Sequence, residues 1–166
     1  CTHRVGSSAA SDVYKRQAGS HVSTLFLGGG TPSELDLVEL GRLFAAIRSS
    51  FDLSKLDEAT IECNPGTLTE NQADALLQLG FNRISLGVQS FQDQHLKLLG
   101  RAHTAADARR ALSFIRDSGF RRLNVDLIFA LPAQALPQWE SDVAEALDLD
   151  PGHISLYHLT FEKGTE

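Results

Sequence analysis

Only two cysteines, Cys1 and Cys63, occur in the 166 residues. A pair so far apart builds no disulfide framework, and a reducing cytosolic setting is expected. No apolar run approaches the roughly 20 residues that a membrane span requires, so no span is expected. The polar start carries no hydrophobic segment of the signal-peptide kind. Basic residues are also few: 15 Lys and Arg stand against 21 Asp and Glu, for a net charge of −6. The paired arginines Arg109–Arg110 and Arg121–Arg122 form no stripe. Pairs this short read as solvated surface, so nucleic acid is not expected as a partner. Apolar residues are plentiful by contrast. They make up 42% of the chain, enough for a sizeable core in one domain or a large part of one.

Residues 1–17, CTHRVGSSAASDVYKRQ, show neither helical nor strand periodicity. The stretch SAASDVYKRQ resembles a translated adapter or vector sequence. Residues 1–17 are therefore read as a non-native or disordered tail, and 18–166 as a partial core domain. Cys1 is then expected to carry no chemistry. The chain stops after Glu166 in what reads as a loop, and truncation at both ends is expected.

Strand and helix signals alternate along the rest. His21 to Leu27 reads as a buried strand running into three glycines. Ser33 is placed to cap a helix beginning just after Pro32, with Leu37, Leu40, Phe44, Ile47 and Phe51 at helical spacing. Ala59 to Glu62 is a short second strand. Thr69 with Gln72 makes a capping box for a helix that Gly80 ends. Phe81 to Val88 is a third strand, and a short helix near Gln92 to Leu99 follows. Thr104 caps a longer helix reaching Ser118. Arg121 to Phe129 is a fourth strand, Pro137 to Leu147 a helix with proline in its first turn, and Ile154 to Leu159 a fifth strand. Such alternation implies a parallel sheet. Without a dinucleotide-type GxGxxG, part of a β/α barrel is expected, with a doubly wound sheet as the alternative.

Barrel chemistry gathers at the carboxyl ends of strands. Gly28-Gly29-Gly30-Thr31-Pro32 follows the first strand, Glu62 ends the second and Gln89 the third. Asp126 lies within the fourth; Tyr157 and His158 lie toward the end of the fifth. Each has a plain structural explanation: a tight glycine loop, an exposed acid before a turn, a helix cap. Asp126 is the hardest to explain so, because a buried carboxylate costs several kcal/mol unless paired or hydrogen-bonded; a structural ion pair and a ligand contact both remain open. Together, on successive strand ends, these residues mark a candidate site.

The ordered set FLGGGTPS, IECNPGTLT, RISLGVQSF, LLGRAHT, NVDLIFALP and ISLYHLTFEKGT resembles the HemN/HemW branch of the radical S-adenosylmethionine (SAM) superfamily over nearly all of residues 22–165. GVQSF, LGRAH and LYHLTFEKGT look more like the HemW type. The resemblance implies an α/β fold, a partial (β/α)6 TIM-like barrel binding SAM and a [4Fe–4S] cluster. It implies SAM contacts from Gly28, Gly29, Gly30, Thr31 and Pro32 by backbone, from Glu62 and Gln89 to the ribose, from Arg101 to the carboxylate, and from Asp126 near the nucleoside. The family's cluster ligands form a CxxxCxxC loop that should stand upstream of GGGTP, where the foreign-looking stretch lies. No metal ligand is expected in this chain, which alone should be inactive, and Cys63 is expected to be a buried free thiol. The family's Tyr-Gly-Leu-Pro-Gly-Gln stretch reads here Phe129-Ala130-Leu131-Pro132-Ala133-Gln134. The added Cβ atoms are expected to change that loop's shape. Ala135 is a poor helix cap.

The HemW-type resemblance implies a heme chaperone that carries heme to respiratory heme proteins, with His103 and His158 as candidate heme contacts. Lone histidines are more often ordinary polar groups of surface or core. The alternative is an enzyme of the oxygen-independent coproporphyrinogen III oxidase type, in porphyrin biosynthesis. There a SAM-derived radical would drive oxidative decarboxylation of propionate side chains. A further alternative is a barrel fragment binding another nucleoside or phosphate ligand.

Overall fold

Period-two alternation sorts the side chains of each central strand onto two unlike faces. The computed structural model describes residues 21–160. Its strands are β1 (Thr24–Leu27), β2 (Glu58–Cys63), β3 (Arg83–Gln89), β4 (Arg122–Phe129) and β5 (Gly152–His158). On one face Ala59, Ile61 and Cys63 of β2, Ile84, Leu86 and Val88 of β3, and Leu123, Val125 and Leu127 of β4 are buried in the hydrophobic core. The intervening positions are polar: Glu58, Thr60 and Glu62; Arg83 and Ser85; Arg122, Asn124 and Asp126.

All neighbouring strands pair in parallel, in the order β1-β2-β3-β4-β5. Between them run the helices α1 (Leu37–Ser50), α2 (Glu70–Leu79), α3 (Asp93–Leu98), α4 (Ala105–Asp117) and α5 (Leu136–Asp148). A strand order that follows the chain, with crossovers of one hand, keeps the helices on one face. A doubly wound sheet would need a reversal of order. The sheet is therefore part of a β/α barrel, and its polar face is the barrel interior.

The core lies between sheet and helices. Phe81, Leu76, Leu112 and Ile115 are at most 2% exposed, and the rings of Phe44 and Phe81 sit 5.0 Å apart. Thr69–Gln72 form the reciprocal capping box that their spacing predicts, and Thr104, expected as a cap, forms a second box with Asp107. Gly80 ends α2 at φ 108°, a conformation that glycine adopts without Cβ strain. Ala135 offers α5 no side-chain cap, and Gln138 Oε1 compensates by accepting the Ala135 N–H at 2.8 Å.

Two expectations need correction. The first strand is neither as long nor as buried as its composition suggests: His21 makes only an isolated bridge to Asp52, and Phe26 is 57% exposed. β1 is an edge strand in the described chain, with a neighbour on one side only. The helix after Pro32 also starts late. Pro32–Glu34 form a single 3-10 turn, and Asp36, not Ser33, caps α1 by accepting the Glu39 N–H at 2.7 Å. Ser33 is buried and accepts the Asn64 N–H at 3.2 Å, tying the glycine loop to the end of β2. The tail at 1–17, with Cys1, lies outside the described residues.

The loop after β4 has left-handed backbone at two alanines: φ is 60° at Ala130 and 59° at Ala133. Left-handed backbone costs a residue with a Cβ about 1–2 kcal/mol, while glycine adds unfolded-state entropy of about 0.4–1 kcal/mol. Ala130→Gly and Ala133→Gly are each expected to stabilise the chain by ~0.5–1 kcal/mol, read as a higher urea midpoint at constant slope. A lower midpoint would show that the loop relaxes out of that conformation.

Candidate functional site

The inner face of the sheet is built in polar layers. Near the amino ends of the strands, Arg83 faces Glu58 at 3.5 Å, and Arg122 holds the Asp57 carboxylate with both terminal nitrogens, each at 3.2 Å. A cleft of about 240 Å³ lies there, lined by Arg83, Arg121, Arg122 and His153. Two of its three arginines are thus neutralised by carboxylates.

The middle layer is hydrogen-bonded, with Ser85 and Asn124 buried and Asp126 and Ser155 half-buried. Ser155 Oγ donates to Asn124 Oδ1 at 3.0 Å, and Asn124 Nδ2 donates to Ser85 Oγ at 2.8 Å and to Asp126 Oδ1 at 2.7 Å. Ser85 Oγ donates to Asp126 Oδ2 at 3.0 Å. Asp126 is therefore held by two neutral donors, and among the described residues no cation pairs with it. That removes the structural ion pair left open by the sequence. The two buried side chains of this layer, Ser85 and Asn124, are both hydrogen-bonded, as a low-dielectric interior demands.

Above this layer, at the carboxyl ends of the strands, opens a cleft of about 250 Å³. It is lined by Gly30, Thr31, Pro32, Glu62, Gln89, Arg101, Asp126 and Tyr157, all named from the sequence, and by Cys63, Asn64, Ser85 and Gly87. Gly28 and Gly29 stand just behind. The Gly29 N–H donates to Glu62 Oε2 at 2.9 Å. A Cβ at Gly28 would lie 2.6 Å from Phe26 Cε1 and 2.8 Å from Glu62 Cδ, so any larger residue would have to displace those two side chains. The ion pairs of the described residues engage Arg83, Arg109, Arg110 and Arg122 but not Arg101, whose guanidinium stays free for a ligand.

Ser85 and Asn64 were not singled out from the sequence. A signal for Ser85 was present: Arg83, Ser85 and Gly87 alternate with Ile84, Leu86 and Val88, which marks an inner-facing polar position. Asn64 follows β2 directly, where Asn-Pro-Gly is by itself only a turn signal. Gln89, weighed above as a helix cap, is instead buried at 7% exposure on the cleft.

Cys63 borders the cleft as a buried free thiol, and burial pushes its pKa up to about 12. A thiol so protonated is a poor nucleophile and a poor metal ligand. Among the described residues no group of three His, Cys, Asp or Glu side chains is disposed to hold a metal ion.

The two histidines differ sharply. His158 is exposed, with its ring edge-on to Phe129 at 5.4 Å. His103 is 3% exposed; its Nε2–H donates to the Val88 carbonyl at 3.1 Å, and its Nδ1 has no partner among the described residues. Neither lines the cleft. Burial, with a smaller contribution from Arg101, lowers the His103 pKa below its ordinary 6.5, against the Val88 carbonyl and Asp107, which raise it. A depressed imidazole pKa contributes stability that is complete above the unfolded value and is lost as pH falls through the folded one. Thermal unfolding is expected to soften as pH drops below about 6.5. The His103→Gln variant should show less of this softening, whereas identical profiles would mean that the imidazole protonates without cost.

The chain matches the Radical SAM superfamily over residues 11–145. It is 42% identical over 142 residues to the heme chaperone HemW of Lactococcus lactis, covering 86% of this chain and 38% of that protein. It is 41% identical over 147 residues to the heme chaperone HemW of Escherichia coli, covering 89% and 39%. Among solved structures it resembles coproporphyrinogen III oxidase (HemN) of Escherichia coli, described as a radical SAM enzyme, with a TM-score of 0.80, 31% identity, and coverage of 90% of this chain and 35% of that one. The chain thus spans about two fifths of the length of the HemW proteins it matches.

Proposed function

The chain belongs to the radical SAM superfamily, and from that premise we propose that its cleft holds SAM within a longer protein that binds and delivers heme. SAM fits the residues present. The cleft offers carboxylate and carboxamide acceptors at Glu62 and Gln89 for ribose hydroxyls. The free guanidinium of Arg101 matches the SAM carboxylate. The Gly28–Gly30 backbone, kept bare of Cβ atoms, suits close approach of the methionine amino group. Asp126, with both oxygens steadied by Ser85 and Asn124, borders the nucleoside end.

A [4Fe–4S] cluster does not fit the described residues, since the one cysteine among them, Cys63, is a protonated buried thiol. In this family SAM and such a cluster together supply radical chemistry. What this chain's own residues do is bind and orient SAM at the strand ends and exclude water from its polar contacts.

The heme reading is carried by the 42% and 41% identity to proteins named heme chaperone HemW. Its cargo is heme, its recipients are respiratory heme proteins, and its compartment is the cytoplasm; no helix among the described residues is long and apolar enough to cross a membrane. His158, exposed beside Phe129, is the more accessible of the two candidate heme contacts. The second reading, decarboxylation of coproporphyrinogen III, draws on the fold shared with HemN at a TM-score of 0.80.

The full-length protein, with its cluster reconstituted anaerobically, distinguishes the two. Supplied with SAM, a reductant and coproporphyrinogen III, it is expected to leave the porphyrinogen unchanged by mass spectrometry while binding heme stoichiometrically in a parallel titration. Protoporphyrinogen formation would replace the chaperone reading with the oxidase.

A further inference from the structure

Gln89 occupies a backbone conformation that a glutamine does not choose. Its φ is 68°, and the N–H of Ser90 donates back to the Val88 carbonyl at 2.9 Å, closing a three-residue γ-turn around it. Turns of this kind with positive φ are rare and strained. The β3–β4 register also slips here: Leu86 pairs with Val125, but Gln89 pairs with Leu127. The strand thus bulges and then turns at Gln89, the last of its residues that line the cleft. Local strain of about 1–3 kcal/mol persists only where surrounding groups over-determine the conformation.

Those groups lie outside the cleft. Asp142, on α5, is 1% exposed. Its Oδ2 accepts the Ser90 hydroxyl at 2.6 Å and its Oδ1 accepts the Phe91 N–H at 3.0 Å. The Ser90 hydroxyl in turn accepts the Gln92 N–H at 3.1 Å and lies 3.3 Å from His95 Nδ1. On the other side of the turn, His103 donates to the Val88 carbonyl at 3.1 Å, from the loop that carries Arg101. A buried carboxylate spent on two neighbours of a strained residue is an expensive fastening. No salt link to Arg or Lys among the described residues explains it; the nearest opposite group is His95, at 3.9 Å.

We infer that Asp142 is a positioning residue: from the far side of the sheet it holds the Ser90–Phe91 end of the γ-turn, and so keeps the Gln89 carboxamide presented to the ligand in the cleft. The ligand part rests on the proposal that the cleft binds SAM. The fastening itself rests only on the geometry. Asp142 touches no ligand and takes no part in the chemistry. Its effect on binding passes through Gln89, which distinguishes it from a residue that merely stabilises α5.

A double-mutant cycle in the full-length protein tests this, with SAM affinity measured by calorimetry and backbone amide exchange by NMR. Asp142→Leu keeps the branching at Cγ, with a larger volume, and removes both acceptors. It is expected to weaken SAM binding by about tenfold, the effect of losing hydrogen bonds to a charged group, and to speed exchange at Ser90 and Phe91 relative to Ile61. Asp142→Asn, which retains one carbonyl acceptor, should recover most of the affinity. In a Gln89→Ala background, Asp142→Leu should change the affinity less than about twofold, since coupled sites lose additivity. Equal weakening with and without Gln89 would overturn the inference, as would unchanged exchange at Ser90 and Phe91. If the unaltered protein binds no SAM, the ligand assignment fails on its own, and the exchange data still decide whether Asp142 holds the turn. Should Asp142→Leu not fold, Ser90→Ala removes one of the two attachments and completes the same cycle.

Discussion

Truncating Phe81 to alanine lowers the unfolding free energy by about 3–5 kcal/mol, the range for a fully buried aromatic side chain. Phe81 is 1% exposed, and its ring meets Phe44 at 5.0 Å. It fills the space where α2 ends and β3 begins, and Arg48 lies over the far side of the Phe44 ring at 4.8 Å. Removing the ring leaves a cavity walled by Phe44 and Leu76, which rigid neighbouring helices cannot collapse to fill. Phe26→Ala provides the contrast. That residue is 57% exposed on the edge strand, and its loss should cost no more than ~1 kcal/mol. Urea unfolding followed by circular dichroism measures both. A Phe81→Ala loss as small as that of Phe26→Ala would mean that the helix layer is loosely packed.

Glu62→Ala in the full-length protein is expected to weaken SAM binding by about 10- to 100-fold while leaving the unfolding midpoint nearly unchanged. The carboxylate is partly exposed at the rim of the cleft and makes one hydrogen bond among the described residues, from the Gly29 N–H at 2.9 Å. Its deletion therefore removes little that folding depends on. It does remove a charged acceptor for a ribose hydroxyl, and the slackened Gly28–Gly30 loop loses its anchor. Hydrogen bonds to charged groups contribute about 1.5–3 kcal/mol, which sets the range. Gly28→Ala should reproduce part of the loss without touching the carboxylate, because its Cβ would lie 2.8 Å from Glu62 Cδ and push the side chain aside. Calorimetric titration with SAM reads both variants. Affinity unchanged in Glu62→Ala would detach Glu62 from the ligand.

The alternation of strands and helices was legible because each central strand carries a period of two and each helix carries caps at fixed spacing, as in Thr69–Gln72 and Thr104–Asp107. Where those local signals were weak or shared, the expectation missed. Ser33 had the chemistry of a cap, but Asp36 also did, and the buried position beside Thr67 and Asn64 took the serine. His21 to Leu27 had strand composition, but composition does not say how many neighbours a strand will have. Ala130 and Ala133 have left-handed backbone, because the fold around the loop outweighs a local cost of about 1–2 kcal/mol per residue.

Arg101, in the loop between α3 and α4, stands out only through the family resemblance; by itself, the sequence determined the βα alternation, the polar strand residues Glu62, Gln89 and Asp126, and the glycines after the first strand. These follow from spacing and residue type, which are local. Only the tertiary structure decided that the strands stack in chain order, that Ser85 and Asn124 steady Asp126, and that Asp142 reaches across 51 positions to hold Phe91 beside a strained Gln89. Contacts between residues so distant depend on helix packing and on which face of the sheet each side chain occupies, and no short-range pattern records them.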